Sequence, residues 1–437
     1  MLLLNEVEHS LGKGLDENTA DFIYLGKHYK GVHPTAGLQK RRAEFERLLG
    51  TLEKYGFIPE TVHSDLEIEY FCDVYEQNTE YFSVPKTYLH PEILKEAAIL
   101  YLKLSLFLDK RELCLMDGHT SNIIVEKNCT PKWCDIGSLI PKNILNQRGS
   151  LDEFCRYFWY PLLLRQKHED FGHLMRYYTA HGLPHAEAGA LGIGVGALQG
   201  NSYQHIVSSM IERIEQIQFP YAETTWSGYL DLSRWETMDA MTATENKRNF
   251  IFKKLLKALA PSTVIDIASN SGFFSYLAAK NGATVMAIEL DEAAGSKFYE
   301  FFRNSPTPYS AKIRSAGVDI YDGPKADLAL GLAITHHLYL SQHYPWSYVA
   351  TLLASHTKNA LLTEYMPYGL SIQPNATNLP EGYSLESFIK ALEVYFASVE
   401  VIDYGDESTM RKFVLCKGKK DVSLNAGYPL WMDRFCG

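Results

Sequence analysis

Val264-Ile-Asp-Ile-Ala-Ser-Asn-Ser-Gly-Phe-Phe-Ser275 decides the fold of the second half of this chain. Its first four residues form an apolar run of strand length broken only by Asp266, and the five that follow are small or polar. From Phe273 to Lys280 the apolar residues return at helical spacing. A buried strand entering a tight turn and then a helix aims backbone N–H groups and a helix N-terminus at one point, and Gly272 lets a ligand come close. The next strand-like run, Thr284–Glu289, ends in a carboxylate seventeen residues after Gly272. An acidic side chain there can accept hydrogen bonds from both hydroxyls of a ribose. Taken singly, Asp266 caps a turn and Glu289 is a solvated strand end. Together, inside a βαβ rhythm, they predict a nucleoside-type ligand.

Working outward, residues 246–420 alternate strand and helix as a parallel sheet requires. The expected strands are Thr263–Ile267, Thr284–Glu289, Lys312–Ser315, Leu328–Leu332 and Ala360–Thr363. A helix over Leu385–Phe396 then leads to a closing hairpin of Val399–Tyr404 and Lys412–Lys417. Residues 148–245 read as an aromatic helical bridge. Residues 1–147 mix short strands with two helices, over 38–54 and 91–109. The tail, 421–437, is expected to dock on the body.

The turn argues against a dinucleotide fold, whose G-x-G-x-x-G glycines admit a pyrophosphate. Ala268 and Asn270 stand where the first two glycines belong. The order strand, Asp266, turn, helix, strand, Glu289, with a terminal hairpin, instead resembles class I S-adenosylmethionine (SAM)-dependent methyltransferases. A subgroup with a D-x-G-A-N-x-G-x-F turn shares Asn270, Gly272 and Phe274. The resemblance implies a Rossmann-like sheet with SAM at Asp266, Ala268, Asn270, Gly272, Phe274 and Glu289, and an acidic residue near the adenine, Asp319 or failing that Asp322. Thr225-Trp-Ser-Gly-Tyr229 resembles the T-x-W-S-x-Y segment of the same subgroup, which implies that Trp226 and Tyr229 close over the cofactor; their bland role is packing.

Leu330-Gly-Leu-Ala-Ile-Thr-His-His-Leu338 follows the fourth strand, where such enzymes face the transferable methyl. A sulfonium methyl is already activated, so the site must chiefly align the reactants and exclude water. An oxygen or nitrogen nucleophile can also need its proton removed, and histidine titrates near neutral pH. His336 and His337 are therefore candidate bases or acceptor contacts, and Glu364, ending the fifth strand, is a further catalytic candidate. No Asn/Asp-Pro-Pro-Tyr follows the fourth strand and no Pro-Cys nucleophile is present, which argues against the common DNA methylases.

In the first half, Asp117-x4-Asn122 with Asp135-Ile-Gly thirteen residues on reproduces the catalytic-loop and D-x-G spacing of protein-kinase-like phosphotransferases. No G-x-G-x-x-G precedes it. Lys27 or Lys30 with Glu44 or Glu46 could imitate the lysine–glutamate pair of a kinase. The region reads as a truncated, degenerate kinase-like α+β domain. The composite resembles a bacterial group of SAM-dependent methyltransferases that includes nodulation methyltransferase-like proteins. Gly192-Ile-Gly-Val-Gly196 looks like a phosphate loop but lacks a preceding strand and an acidic partner.

Composition bounds the rest. A net charge of -10 over 437 residues makes a general nucleic-acid groove unexpected. No apolar stretch approaches the ~18–20 residues that span a bilayer. Seven cysteines without CxxC pairs make neither a disulfide framework nor a zinc site, as expected of a cytoplasmic protein. The expectation is a methyltransferase moving a methyl from SAM to an oxygen or nitrogen of a small-molecule or glycan-type acceptor, with the N-terminal domain shaping the acceptor site. A bifunctional kinase–methyltransferase using Mg-ATP at Asp117, Asn122 and Asp135, and a SAM-binding scaffold without turnover, are the alternatives. A nicotinamide enzyme ranks below both.

Overall fold

Leu25 and Gly26 both adopt positive φ, 49° and 77°, the geometry that reverses a chain between tightly paired antiparallel strands. They join β2 (Thr19–Tyr24) to β3 (Lys27–Val32), and with β1 (Glu8–His9), β4 (Thr61–Ser64) and β5 (Asp73–Gln77) these form an antiparallel sheet in the order β1-β2-β3-β5-β4. The computed structural model describes residues 8–9, 18–78, 89–144, 147–167, 172–193, 202–228, 232–315, 324–371, 379–405 and 410–422. The chain divides into two compact units, 1–223 and 224–437. Residues 148–223 of the expected bridge thus group with the first unit, and 224–245 with the second.

In the first unit α1 (Arg42–Lys54) runs between the third and fourth strands and buries Phe45, Leu49 and Leu52, one face at helical spacing. The region read as truncated therefore holds five strands and a helix before residue 78. Next comes α2 (Pro91–Asp109), started by Pro91 at its first turn, where no N–H partner is missed. Two short ladders follow: β6 (Leu113–Leu115) pairs with β9 (Leu139–Pro141), and β7 (Ile123–Val125) with β8 (Pro131–Trp133). The helices α3 (Gln147–Phe154), α4 (Tyr160–Lys167), α5 (Gly172–His181), α6 (His185–Ala190) and α7 (Tyr203–Glu215) complete the unit, with a π-helical turn over Cys155–Trp159.

The second unit opens with α8 (Trp235–Ala240) and α9 (Lys247–Leu259). Then β10 (Thr263–Ile267), α10 (Phe273–Lys280), β11 (Thr284–Glu289), α11 (Glu292–Asn304) and β12 (Ala311–Ser315) wind outward. The chain crosses to the other side with β13 (Ala326–Gly331), α12 (Trp346–Ser355), β14 (Thr357–Tyr365), α13 (Leu385–Glu393), β15 (Phe396–Asp403) and β16 (Lys412–Lys419). The sheet order is β12-β11-β10-β13-β14-β16-β15. Only β16 runs against the rest, antiparallel to both β14 and β15. The strand order reverses between β10 and β13, and in open α/β sheets ligands bind at the carboxyl edge of that switch point.

Fully buried parallel strands read as continuous apolar runs, which is why β10 and β11 match their expected bounds. β14 is longer than the expected Ala360–Thr363, because pairing with β16 carries the ladder out to Tyr365 opposite Lys412. The helix expected to reach Phe396 stops at Glu393, since Phe396 is buried as the first residue of β15. No helix among the described residues is long and apolar enough to cross a membrane.

Candidate active site at the carboxyl edge of the sheet

The turn after β10 is held in a rare backbone shape. Ala268, Asn270 and Gly272 all lie at positive φ, 55°, 54° and 93°. Gly272 is dictated twice over: its φ disfavours a side chain, and a Cβ there would stand 2.3 Å from the Phe298 ring. The shape is fixed from β11. The Asn270 backbone N–H donates to Glu289 Oε2 at 2.7 Å, and the Asp291 N–H donates to Oε1 at 2.9 Å. Each carboxylate oxygen keeps a further lone pair for a ligand. Burial pushes the Glu289 carboxyl up, against the pull of its backbone donors.

Asp266 is buried beneath this turn, and the Ser275 hydroxyl donates to its Oδ2 at 2.7 Å. Burial pushes its carboxyl up to about 7; the Ser275 hydrogen bond opposes the rise and the nearby Glu289 charge adds to it. The Asn270 side-chain N–H donates to the Trp226 carbonyl at 2.8 Å. Two polar atoms of the turn, Asn270 Oδ1 and Ser271 Oγ, are buried with no hydrogen-bond partner among the described residues. Buried polar groups are normally satisfied, so the pair fits a ligand that donates and accepts at this turn.

Trp226 belongs to a turn tied down at both ends. The Ser227 and Trp226 N–H groups donate to Thr224 Oγ1, at 2.9 and 3.2 Å, while the Thr224 hydroxyl donates to Asp291. Lys297 donates to the Ser227 carbonyl. The Trp226 ring meets His337 edge-on, centroids 5.0 Å apart, and His337 lies 4.1 Å from His336. Structure therefore brings Asp266, Asn270, Glu289, Trp226, His336 and His337 into one connected set. Burial, reinforced by the neighbouring His337 and Arg411, drives the His336 ring down to about 3; burial lowers His337 as well.

Glu364 corrects its expectation as an acceptor-facing catalytic group. It is fully buried, and both oxygens are taken by Arg248, through Nε at 2.9 Å and Nη2 at 2.8 Å, with the Tyr404 hydroxyl donating to Oε1 at 2.6 Å. Burial would raise this carboxyl, but Arg248 and Tyr404 hold it below its usual range. The Arg248 guanidinium lies 4.6 Å from the Phe274 ring centroid, so that ring also supports the Arg248–Glu364 pair. Asp319, Asp322 and Tyr229 lie outside the described residues, as do Gly194–Gly196 of the glycine-rich decoy and most of the tail. Arg248, Tyr404 and Arg411 were not anticipated, since nothing local marks a partner 116 or 40 residues away.

In the first unit the Asn122 side-chain N–H donates to the Asp117 carbonyl at 2.8 Å, and Glu153 accepts the Gly118 N–H at 2.7 Å. Lys30 is buried and pairs with Asp21 at 2.7 Å and Asp135 at 3.5 Å. Burial alone would lower its ammonium, but the two carboxylates hold it raised. The lysine–glutamate pair that these residues could have imitated is not formed: Lys27 binds Glu76, Glu44 pairs with Arg41, and Glu46 with Arg42.

No family model matches the chain. Nodulation protein NoeA of Rhizobium meliloti strain 1021 is 23% identical over 325 residues, 63% of this chain and 66% of that protein, just under two thirds of its length. Of the solved structures, the bifunctional kinase-methyltransferase WbdD is similar at 20% identity, over 46% of this chain and 44% of that one, with a TM-score of 0.33. Magnesium protoporphyrin IX methyltransferase ChlM from Synechocystis PCC 6803, crystallised with SAM, is similar at 14% identity over 45% of this chain and 99% of that one, TM-score 0.31. The strand order of the second unit, with one antiparallel strand inserted beside the last parallel pair, defines a Rossmann-like class I methyltransferase fold.

Proposed function

We propose that this chain is a SAM-dependent methyltransferase whose second unit holds the cofactor at the Asp266–Gly272 turn and Glu289, and passes the methyl to an oxygen or nitrogen of a small-molecule or glycan-type acceptor. The observation that carries this is the Glu289 carboxylate, fixed by two backbone N–H groups at the switch point, beside the partnerless Asn270 Oδ1 and Ser271 Oγ. When bound, SAM supplies a methyl already activated on sulfur, so the protein's work is alignment and exclusion of water. Glu289 takes the ribose hydroxyls. Asp266 holds the start of α10 through Ser275, and Trp226 pins Asn270 through its carbonyl. Trp226 and His337, packed edge-on beside the turn, would help keep water from the bound cofactor.

Glu364 is a positioning residue, holding Arg248. Where an acceptor proton must move, His337 is the better base, because the deep burial of His336 leaves its ring the poorer proton acceptor. The first unit serves recognition rather than phosphate transfer, since Lys30, the group that would meet phosphates, is committed to Asp21 and Asp135.

Titration of the full chain with S-adenosylhomocysteine tests the reading. Binding is expected, with about 2.7 kcal/mol of added stability at ~100 times the dissociation constant. Glu289→Ala and Glu289→Gln are both expected to abolish it while the fold persists. A folded wild-type chain that does not bind S-adenosylhomocysteine overturns it.

A further inference from the structure

Cations collect at the amino edge of the second sheet, opposite the edge that carries the cofactor turn. Lys325 immediately precedes β13, Lys358 is the second residue of β14, Lys417 and Lys419 lie in the last three residues of β16, and Lys420 follows them. The parallel strands begin at this edge and the antiparallel β16 ends at it, so positions far apart in the chain fall in one row. Three residues separate α9 from β10, which brings Lys257, in the last turn of that helix, to the same edge. Lys257, Lys325, Lys358, Lys417 and Lys420 are exposed. Lys257, Lys325 and Lys417 form no ion pair among the described residues. Lys419 is half-buried, with its Nζ 5.0 Å from the Tyr395 ring centroid and 5.7 Å from that of Phe396. Burial lowers its ammonium, and the neighbouring Lys325 charge adds to the fall against the pull of Asp421.

The acids nearby do little to cancel the row. Asp327 is occupied by the Thr263 N–H at 3.0 Å and the Asn359 side chain at 3.2 Å. Glu393 and Asp421 stand beside the lysines, and Lys420 donates to the Glu393 carbonyl at 2.6 Å. Such a concentration of cations runs against a chain whose net charge is -10. Two apolar side chains share the edge: Val394, just ahead of β15, is 50% exposed, and Val422, just past β16, is 38% exposed. The named cations are all lysines, point charges on flexible stems that suit a diffuse negative field, whereas the arginine fork suits discrete bidentate partners. They form a row drawn from several elements, with aliphatic groups beside it, and that combination fits an anionic lipid interface.

We propose that the amino edge of the second sheet docks on an anionic phospholipid surface, with the lysine row against the headgroups and Val394 and Val422 entering the interface. The cofactor turn, at the other edge, is left uncovered. This goes beyond the methyltransferase reading and does not depend on it.

The test is cosedimentation of the full chain with vesicles of phosphatidylcholine alone and of phosphatidylcholine mixed with phosphatidylserine. Binding is expected to the mixed vesicles only and to weaken as salt is raised, because screening shortens the reach of the charges. Lys325→Gln combined with Lys417→Gln should weaken it by roughly 25-fold, at about fivefold per lysine. Lys40→Gln combined with Lys54→Gln changes the net charge equally at exposed positions of the first unit and should leave binding near wild type. Both double variants should melt with wild type, since exposed side chains are replaced. Wild-type protein that sediments no better with mixed vesicles than with phosphatidylcholine alone overturns the proposal. So does an edge double variant that binds like the first-unit double. Wild-type protein that ignores both vesicles but binds poly-glutamate overturns it in favour of an acidic protein partner.

Discussion

Asp266 and His336 are two buried groups whose titrations pull stability in opposite directions. Burial lifts Asp266 to about 7, so the folded chain keeps a proton that the unfolded chain releases near pH 4. Its contribution is greatest at low pH and is lost as pH rises from about 4 towards 7. His336 is held at about 3 by burial, His337 and Arg411, so the unfolded chain takes up a proton that the native site refuses. Its contribution is complete above about pH 6.5 and is lost as pH falls towards 3. Asp266→Asn should therefore gain on wild type as pH rises through that window, by at most about 1.4 kcal/mol per pH unit. His336→Asn should gain as pH falls. Urea unfolding from pH 4 to 8 measures both differences, and a flat Asp266→Asn difference would mean that Asp266 is ionised in the native state. At this scale the sequence made local chemistry visible: Glu289 and the turn lie within a single βαβ unit, whose spacing is fixed by geometry. Arg248, on α9, and Tyr404, just after β15, were invisible because both meet Glu364 of β14 only in the folded sheet-and-helix unit.

Among elements, the turn over Thr224–Ser227 shows how one side chain serves two tasks. Asp291 accepts the Ala294 N–H through Oδ1, capping α11, and receives the Thr224 hydroxyl through Oδ2. Thr224→Ala removes the second task alone. It should leave the cap and the melting temperature nearly intact, yet weaken S-adenosylhomocysteine by about three- to tenfold, because Trp226 no longer pins Asn270 firmly. Asp291→Ala should do this and also cost about 1 kcal/mol of stability through the lost cap. Equal effects of the two variants on melting and on affinity would show that the turn acts only through the helix. Elements were legible where burial was two-sided, as in β10 and β11. The partner of Lys30 was not legible because it follows from register: Asp21 of β2 lies directly opposite Lys30 of β3. Opposite charges across an antiparallel pair interact directly. A residue count along the chain does not reveal which strand lies alongside.

For the whole molecule, the division at 223/224 falls in the non-helical stretch between α7 and α8, inside the residues 148–245 that read as one bridge. Each unit carries a recognisable nucleotide-site spacing, and the two differ in what their polar groups do. In the second, Asn270 Oδ1 and Ser271 Oγ are buried without partners among the described residues. In the first, Lys30 is closed onto Asp21 and Asp135, Asp135 Oδ1 also accepts the Gly137 N–H at 3.0 Å, and Asn122 is tied to Asp117. Opening that network would part the buried Lys30 ammonium from the largely buried Asp135 and from Asp21 before any phosphate contact formed, and buried charges separated from their partners are costly. Hydrogen exchange on the full chain should therefore respond to one ligand only. S-adenosylhomocysteine should slow exchange at 266–275, 287–291 and 226–228, and Mg-ATP should leave 27–32, 115–123 and 133–139 unchanged. Protection of the latter segments by Mg-ATP, lost in Asp135→Ala, would instead make the first unit a nucleotide-binding phosphotransferase and the chain bifunctional.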